Sequence, residues 1–471
     1  MVRFYTNIII WLFLTYAHCV KGQTNSLQDS IMTFEEYLGY VKQHHPLVKQ
    51  ANLRLSEGEA TLLRARGGFD PKVEVDYSRK KFKNTEYYDL LNTTFKIPTW
   101  YGIEFKGTFE ENTGAYLDPS LTVPPDGLYS AGVSLSLAQG LFMNERMATL
   151  KKARFFVNQT QAERNLLVND VLYQASLAYF QWVEAYNQEQ LYKQFLENAL
   201  VRFEGTKRSV EEGEKAAIDS IEARITYQNR QLSLEAATLK RRKTALNVSN
   251  YLWLNDVPLI LEDNIVPELP SSLSLQNSLS IETLEMVESN LENHPKLNSL
   301  DAKIQSLEVD RFLYKNKLLP KIDLQYNFLS QDVDQLDTFN TANYKSSLNI
   351  YIPLFLRKER GDLKLANIKL QDANWDLATT RLSLRNKLEQ IDAEIASLES
   401  QTLLATNVVE DYRTLVSAEE RKFQLGESSL FLVASREQSL IEASLKAIDI
   451  QTKQLQAIAS LFNTLGISDG N

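Results

Sequence analysis

The sequence predicts a mostly helical chain with a smaller set of β-strands, built from two copies of one structural unit. Three observations predict it: an internal repeat, two very long stretches without proline, and short segments in which apolar and polar residues alternate. The repeat is the strongest of the three, because it fixes the order of the elements in both halves of the chain.

The repeat is clearest in the spacing of prolines. His45-Pro46 is followed 25 residues after the proline by Pro71, and His294-Pro295 is followed at the same interval by Pro320. A helical stretch lies between the two prolines of each half, and an alternating strand follows the second proline. Each half is therefore predicted to run helix, strand, loop, strand, very long helix, glycine turn and helix.

Each histidine–proline pair is preceded by a segment that is typical of a helix start. These segments are Thr33-Phe34-Glu35-Glu36 in the first half and Ser280-Ile281-Glu282-Thr283 in the second. A hydroxyl residue with acidic residues in the next turn satisfies the free N–H groups of a helix N-terminus. The repetition of His-Pro indicates a structural helix break rather than a metal site.

The long helices are expected from about Asn144 to Phe203 and from about Lys358 to Phe423. At ~1.5 Å per residue, each is on the order of 90 to 100 Å long, whereas an ordinary globular helix has about 11 to 12 residues. Apolar residues recur along both at spacings of three and four. These lengths and spacings favour a coiled-coil or helical-tube arrangement.

The repeat also defines the domain organisation. Residues 1–22 have the charged start and short apolar run of a secretory signal peptide, with cleavage expected before Gln23. Lipid modification of Cys19 is the alternative, although the preceding residues fit a lipobox poorly. The first repeat is assigned to 23–255, a proline-containing linker to 256–278, and the second repeat to 279–471.

The alternating segments predict strands with one apolar and one polar face. Val73, Val75 and Tyr77 alternate with Glu74 and Asp76, and the matching segment of the second half behaves alike. Such a strand suits a water-filled membrane barrel, and it suits one layer of a sandwich equally well. Two hairpins per chain are too few to close a barrel around water, so a membrane barrel requires several copies.

The segment between the first two strands, residues 78–132, is longer than its counterpart in the second half. Thr93 to Ile97 and Gly102 to Phe109 are compatible with an additional hairpin around Pro98-Thr99-Trp100-Tyr101. Trp100 and Tyr101 are then candidates for a membrane interface. A surface loop with packed aromatic residues is the other interpretation, and both stay open.

Composition excludes several classes of protein. After removal of the signal, 49 basic residues stand against 60 acidic ones, which argues against a nucleic-acid partner. No run of about 18 apolar residues follows the signal, so no transmembrane helix is expected. No nucleophile elbow, phosphate loop, zinc motif or dinucleotide fingerprint is present, which predicts neither an enzyme nor a cofactor.

The duplicated unit resembles the TolC-like outer-membrane efflux protein family, over residues from about Met32 to Leu465. The resemblance rests on a set of motifs that occurs in the same order in both halves. A small polar residue, an apolar residue and Glu come first, His-Pro follows, and a proline, a basic residue and an alternating strand complete the set. Ile352-Pro353-Leu354-Phe355 at the end of the last strand and Gly426-Glu427-Ser428-Ser429 near the end of the chain fit as well.

The resemblance implies a fold and a function. It implies a homotrimer in which each chain contributes four strands to one twelve-stranded barrel in contact with outer-membrane lipid, with the long helices forming a tube in the periplasm. It implies an export channel for drugs, metals or proteins, as in efflux or type I secretion. The implied partners are a periplasmic adaptor (membrane fusion) protein and an inner-membrane transporter.

The resemblance also implies site residues. In the family, the residues six and nine positions after the tip glycine often carry carboxylates that constrict the pore. Here Asp219 and Glu222 stand at those positions after Gly213, whereas Leu432 and Ser435 follow Gly426. A solvated helix face is the alternative for the two carboxylates. The implied adaptor-docking turns contain Glu212, Gly213, Glu214, Gly426 and Glu427.

A second class of function stays open at this point. A periplasmic coiled-coil scaffold or adaptor also carries long antiparallel helices, and it conducts nothing. Adaptors usually have one helical hairpin beside a small strand domain, whereas this chain repeats its whole unit. The duplication therefore favours the channel.

Overall fold

The structure, a computed structural model, describes residues 30–281, 291–338 and 340–467. The predicted signal peptide and Glu282 and Thr283 of the second predicted helix start lie outside the described residues. Residues 23–29, 284–290, 339 and 468–471 of the two predicted repeats also lie outside the described residues.

The elements follow the predicted order. The helices are α1 (Phe34–His44), α2 (Pro46–Arg66), α3 (Glu145–Glu211), α4 (Ala217–Ser249), α5 (Ser272–Ser278), α6 (Pro295–Asn316), α7 (Arg357–Gln424) and α8 (Leu430–Leu465). The longer strands are β2 (Lys72–Phe82), β3 (Thr85–Pro98), β4 (Ile103–Thr113), β5 (Leu128–Ser136), β9 (Lys321–Ser330) and β10 (Tyr344–Tyr351). The short strands are β1 (Ser30–Met32), β6 (Trp253–Leu254), β7 (Val257–Pro258) and β8 (Ile265–Pro267).

Both very long helices are confirmed. Helix α3 has 67 residues and α7 has 68. Helix α3 continues beyond Phe203 through Gly205 to Glu211, since one glycine inside a helix costs only about 1 kcal/mol relative to alanine. The absence of proline, which would remove a backbone donor, allows both helices to run uninterrupted.

The two histidine–proline pairs start helices in the same way. His45 Nδ1 accepts the Leu47 N–H at 3.2 Å, and His294 Nδ1 accepts the Lys296 N–H at 3.0 Å. The following proline occupies the first helical position, where no N–H is needed. The structural role predicted for the repeated histidine is confirmed, and Thr33 Oγ1 likewise accepts the Glu36 N–H at 3.1 Å.

The chain divides into two compact units, and the long helices supply residues to both. The turn unit comprises Ala175–Leu275, Thr402–Thr452 and the described part of 1–41. The sheet unit comprises Lys42–Gln174 and the described parts of 276–401 and 453–471. Each unit has its own buried side chains.

The turn unit has an aromatic core around Tyr179. This ring packs against Phe34 and Tyr37 with centroid distances of 5.3 Å in both cases. The Tyr179 hydroxyl lies 2.8 Å from the carbonyl oxygens of Met32 and Glu268. Met32 is the last residue of β1, and Glu268 directly follows β8, the strand that pairs with β1. The predicted linker 256–278 therefore contains ordered structure, because β8 within it pairs with β1.

The sheet unit contains one antiparallel sheet with the strand order β10-β9-β5-β4-β3-β2. It has six strands, whereas the resemblance implies four per chain. The difference lies in residues 78–132, which form β3 and β4 between the two strands that the repeat predicts. The additional hairpin is thus confirmed. At its turn, Trp100 stacks on Phe69 with centroids 5.5 Å apart, while Tyr101 is exposed.

The sheet has one apolar and one polar face across all six strands. The cross-strand register places these side chains on the apolar face: Val73, Val75, Leu91, Phe95, Phe105, Phe109, Tyr129, Val133, Leu324, Tyr326, Phe328, Leu348 and Ile350. The polar face carries Glu74, Asp76, Asn92, Lys106, Glu110, Ser134, Asp323, Gln325, Asn327, Lys345 and Asn349. This alternation is the one that the sequence predicts.

The sheet curls with its polar face on the inside. Lys345 Nζ on β10 lies 3.4 Å from Glu110 Oε1 on β4, although β9 and β5 run between these two strands. Neighbouring strands are about 4.8 Å apart, so a contact over three such spacings needs a concave polar face. Gly132 on β5 leaves the space, and a Cβ there would lie only 2.1 Å from Asn327 Oδ1.

Candidate functional site

Two tight turns of the same design end the long helices in the turn unit. Gly213 and Gly426 have φ angles of +80° and +77°, a region in which glycine alone is free of Cβ strain. In each turn the next residue closes the helix: Glu214 N–H donates to Ser209 O at 2.9 Å, and Glu427 N–H donates to Lys422 O at 2.9 Å. The glycine breaks expected from the sequence are therefore confirmed as turns.

The two turns lie beside each other. Lys215 in the first turn places its Nζ 4.4 Å from the centre of the Phe423 ring, at the end of α7. The side chains of Glu212, Glu214 and Glu427 are exposed. The turns thus expose carboxylates from both repeats, beside the exposed basic side chains of Lys207, Arg208, Arg421 and Lys422 at the helix ends.

Asp219 and Glu222 lie in the first two turns of α4, directly after the first glycine turn, and both are partly exposed. Asp219 N–H donates to Ala216 O at 3.0 Å, which starts the helix. The corresponding residues of the second half, Leu432 and Ser435, lie on an exposed part of α8. The two carboxylates are therefore available to solvent or to further copies of the chain.

A buried ionic network joins four helices of the turn unit. Glu437 on α8 is 1% exposed and accepts from Arg202 on α3, while Arg230 Nη2 on α4 lies 3.6 Å from Glu437 Oε2. Arg202 Nη1 also lies 2.9 Å from Glu420 Oε1 on α7. Burial lowers the pKa of Arg230 below its ordinary value, although the adjacent Glu437 carboxylate opposes that shift.

Sequence reasoning missed this network, but a signal for it exists. Residues 223, 230, 237 and 244 of α4 are all buried and lie seven apart, as expected for the packed stripe of a coiled coil. Three of them are Ala or Thr, and the fourth is Arg230. A charged residue in a stripe of small residues needs a buried partner, and Glu437 is that partner.

A second buried carboxylate joins α3 and α4. Glu189 on α3 is 3% exposed, and its Oε2 lies 2.8 Å from Arg241 Nε on α4. Its other oxygen accepts the Thr238 hydroxyl at 2.9 Å. Helices α3 and α4 are thus held in register by charges as well as by apolar packing.

In the described part of the chain, no helix has the length and apolar character needed to cross a membrane.

The fold and the paired repeats are those of a known family. The sequence matches the outer membrane efflux protein family over residues 38–252 and 286–467. These two segments make up most of the chain and correspond to its two repeats. The chain belongs to the outer membrane efflux protein family.

Similarity to curated proteins is lower and covers less of the chain. The pyoverdine export outer membrane protein OpmQ of Pseudomonas aeruginosa is 24% identical over 182 residues, which are 37% of each protein. OpmQ of Pseudomonas putida is 23% identical over 177 residues, 37% of this chain and 38% of the relative. The aligned part spans little more than a third of the length of these relatives.

Solved structures share the fold over nearly the whole chain. The Campylobacter jejuni CmeC outer membrane channel superposes with a TM-score of 0.64 at 15% identity, covering 92% of this chain and 85% of CmeC. The Vibrio cholerae outer membrane protein VceC gives 0.64 at 14% identity, with 91% and 95% covered. The Neisseria gonorrhoeae MtrE channel gives 0.65 at 14% identity, with 92% and 88% covered.

Several expectations are thereby confirmed. The chain has the fold class implied by the resemblance, long helices in two repeats joined to a two-faced sheet. It is an outer-membrane protein with its helical part in the periplasm, and its family consists of channels rather than enzymes.

Proposed function

We propose that this protein is the exit duct of an export system, a homotrimer that works with a periplasmic adaptor and an inner-membrane transporter. One observation carries the proposal. In each repeat, a strand of the two-faced sheet leads within ten residues into a helix of 67 or 68 residues, β5 into α3 and β10 into α7. A membrane-embedded wall is thereby continuous with a long helical conduit.

The cargo class is part of the proposal. The resemblance allows drugs, metals or proteins, and the two relatives are named for export of pyoverdine, which supports a small-molecule cargo. In this proposal the inner-membrane transporter supplies the driving force.

The proposed constriction uses Asp219 and Glu222. Three-fold symmetry brings three copies of each carboxylate towards one axis. Rings of negative charge favour cations. Leu432 and Ser435 add no charge, so any cation preference arises from the first repeat alone.

The proposed docking surface is formed by the two glycine turns. Glu212, Glu214 and Glu427 are exposed there, and Gly213 and Gly426 fix the backbone that presents them. These three carboxylates suit contact with basic side chains of an adaptor, because complementary charges accelerate and orient association.

Fractionation and conductance together test the proposal. The protein is expected in the outer membrane as a trimer that gives discrete conductance steps in planar bilayers. Recovery as a soluble or peripheral protein without conductance would contradict it and would favour a periplasmic scaffold.

The docking surface is tested separately. Reversal of Glu212, Glu214 and Glu427 to lysine is expected to lower export in cells while conductance in bilayers is retained. Glu399→Lys, an exposed position on α7 far along the sequence from the turns, is the control. Equal export by both variants would remove the turns from adaptor recognition.

A further inference from the structure

The six-stranded sheet has two open edges, β2 and β10. All residues of both strands are exposed, whereas the strands between them are mostly partly buried. An edge strand presents a row of unpaired N–H and C=O groups. In lipid each unpaired group costs several kcal/mol, so both edges require a partner strand in the membrane.

The directions of the two edges are complementary. All five neighbouring pairs in the sheet are antiparallel, so that β2 and β10, the first and sixth strands, run in opposite directions. The β10 edge of one copy can therefore pair antiparallel with the β2 edge of the next. Repetition of this head-to-tail contact closes a ring.

We infer that β10 of one copy pairs with β2 of the next, so that every copy contributes six strands to the closed sheet. The inference rests on the proposed function, from which it takes the trimer. Three copies of six strands give eighteen, in place of the twelve that the resemblance implies. The hairpin of β3 and β4 is then part of the membrane wall.

The continuity of the two faces supports this role for the hairpin. Phe105 and Phe109 on β4 lie on the same face as Val133 of β5 and Phe95 of β3. A hairpin folded away from the wall would not need to continue its apolar face. A row of apolar or small side chains on this face reaches Val73 on the edge, so the helix-side half of β2 is suited to contact lipid as well. Further along the same face, Arg79, Asp89 and Glu111 end the apolar region.

The stagger of the strands agrees with closure at this edge. The cross-strand pairs connect Lys72 on β2, through one residue of each inner strand, to Lys345 on β10. Strand β10 continues six residues further, to Tyr351, before it leads into α7. Lys72 and Tyr351 are the ends of β2 and β10 that lie next to the helices. If Tyr351 of one copy lies opposite Lys72 of the next, the register shifts by six residues over the six strand spacings of one copy.

This shift corresponds to a normal closed sheet. With ~3.3 Å per residue along a strand and ~4.8 Å between strands, a shift of six over six spacings gives a tilt of about 35°. Closed sheets have tilts of about 35 to 45°. A register in which Lys72 and Tyr351 are level is therefore compatible with a closed ring.

The same alignment defines the register between copies. With Lys72 opposite Tyr351, Val73 faces Ile350 and Val75 faces Leu348 on the apolar side. On the polar side, Asp76 faces Ser347. A slip by one residue would turn every apolar side chain of one strand to the polar face, so this register is strongly specified.

The lumen changes with the strand number. Diameter grows roughly linearly with the number of strands, so eighteen strands give a ring about half as wide again as twelve. Sheets of this size enclose an aqueous channel, whereas about eight strands fill their interior with side chains. The membrane part is thus wider than the resemblance implies.

Disulfide cross-linking in isolated outer membranes tests the pairing. The paired-edge variant carries Asp76→Cys and Ser347→Cys, and a second variant with Glu74→Cys and Asn349→Cys covers the case that the first fails to fold. Directly opposed residues are about 4.5 to 5.5 Å apart at Cα, within the range for a disulfide. A third variant with Thr108→Cys and Ser347→Cys tests the alternative arrangement. In that arrangement β10 of one copy pairs with β4 of the next, and each copy contributes only four strands.

The expected result after oxidation is a ladder of dimer and trimer for the paired-edge variants and monomer for the single-cysteine controls. The controls also report any contribution of Cys19. A ladder from Thr108 with Ser347, a cross-link within one chain, or a native trimer without cross-links in either paired-edge variant would overturn the inference. Failure of the proposed function is distinct, since the protein would then be neither a trimer nor conducting.

Discussion

Glu437 accepts a hydrogen bond from Arg202 although its side chain is only 1% exposed. Arg230 lies on its other side, and Arg202 reaches Glu420 as well, so one buried carboxylate connects α3, α4, α7 and α8. Charges removed from water are tolerated only while they are paired. The network therefore fixes the relative positions of the four helices within the turn unit.

Glu437→Ala is expected to destabilise the turn unit strongly. The substitution leaves the buried Arg230 without a carboxylate and Arg202 with Glu420 alone. Removal of one partner of a buried ion pair typically costs about 3 to 5 kcal/mol. The loss is measurable as a lower unfolding midpoint by circular dichroism of the detergent-solubilised protein. Glu410→Ala is the control, because the exposed pair of Glu410 and Arg413 is expected to contribute less than about 1 kcal/mol. Equal effects of both substitutions would show that the network is not stabilising.

Gly132→Ala is expected to prevent assembly of the sheet at the junction of the two repeats. A Cβ at this position would lie 2.2 Å from Tyr326 O and 2.6 Å from Asn327 Cα on the neighbouring strand. Backbone must therefore move, and the β5–β9 pairing is lost. Gly107→Ala on β4 is the matched control, because its Cβ would meet only Ser130 O at 3.8 Å. The amount of folded trimer recovered from outer membranes distinguishes the two variants.

His294 is expected to make the sheet unit less stable in mild acid. Its Nδ1 accepts from Lys296 N–H, and its Nε2 lies 3.0 Å from Thr464 O, which together require the neutral ring with its proton on Nε2. Burial lowers the pKa of His294 in the folded protein. The unfolded chain, with a pKa of about 6.5, therefore binds the proton first, and stability is lost as pH falls from that value to the lower folded one.

His294→Asn provides the measurement for this effect. Asparagine also caps helices but does not titrate, so the variant keeps a cap and removes the proton linkage. The unfolding midpoint of the wild type is expected to fall more between pH 7.5 and pH 5.5 than that of the variant. An identical fall in both proteins would place the acid sensitivity elsewhere.

The sequence predicted the framework because its signals are local. Pro71 and Pro320 mark the starts of β2 and β9, since proline ends a helix but is tolerated just before a strand. Gly213 and Gly426 mark the two turns because each adopts a left-handed backbone. These positions depend on the conformational limits of single residues, which a sequence displays directly.

The strand number and the ionic network depended on pairing between distant residues. Residues 78–132 have no counterpart in the other repeat, and whether Phe105 and Phe109 pack in a loop or face lipid depends on pairing with β3 and β5. In the sequence, Glu437 cannot be distinguished from an acidic residue on a helix surface. Only the packing of α3 and α4 against α8 shows that it is buried. No local pattern contains that information, except the unexpected charge at Arg230 within its heptad stripe.

Asp219 and Glu222 are expected to set the ion preference of the channel if they line the proposed constriction. Their reversal to lysine places up to six positive charges around the axis of a trimer, which lowers the local concentration of cations. Bilayer recordings across a salt gradient are therefore expected to show a reversal potential shifted towards anion preference. Glu235→Lys, at an exposed position on the same helix, is the control and is expected to leave the preference unchanged. Unchanged selectivity and conductance in the double variant would instead assign both carboxylates to a solvated helix face.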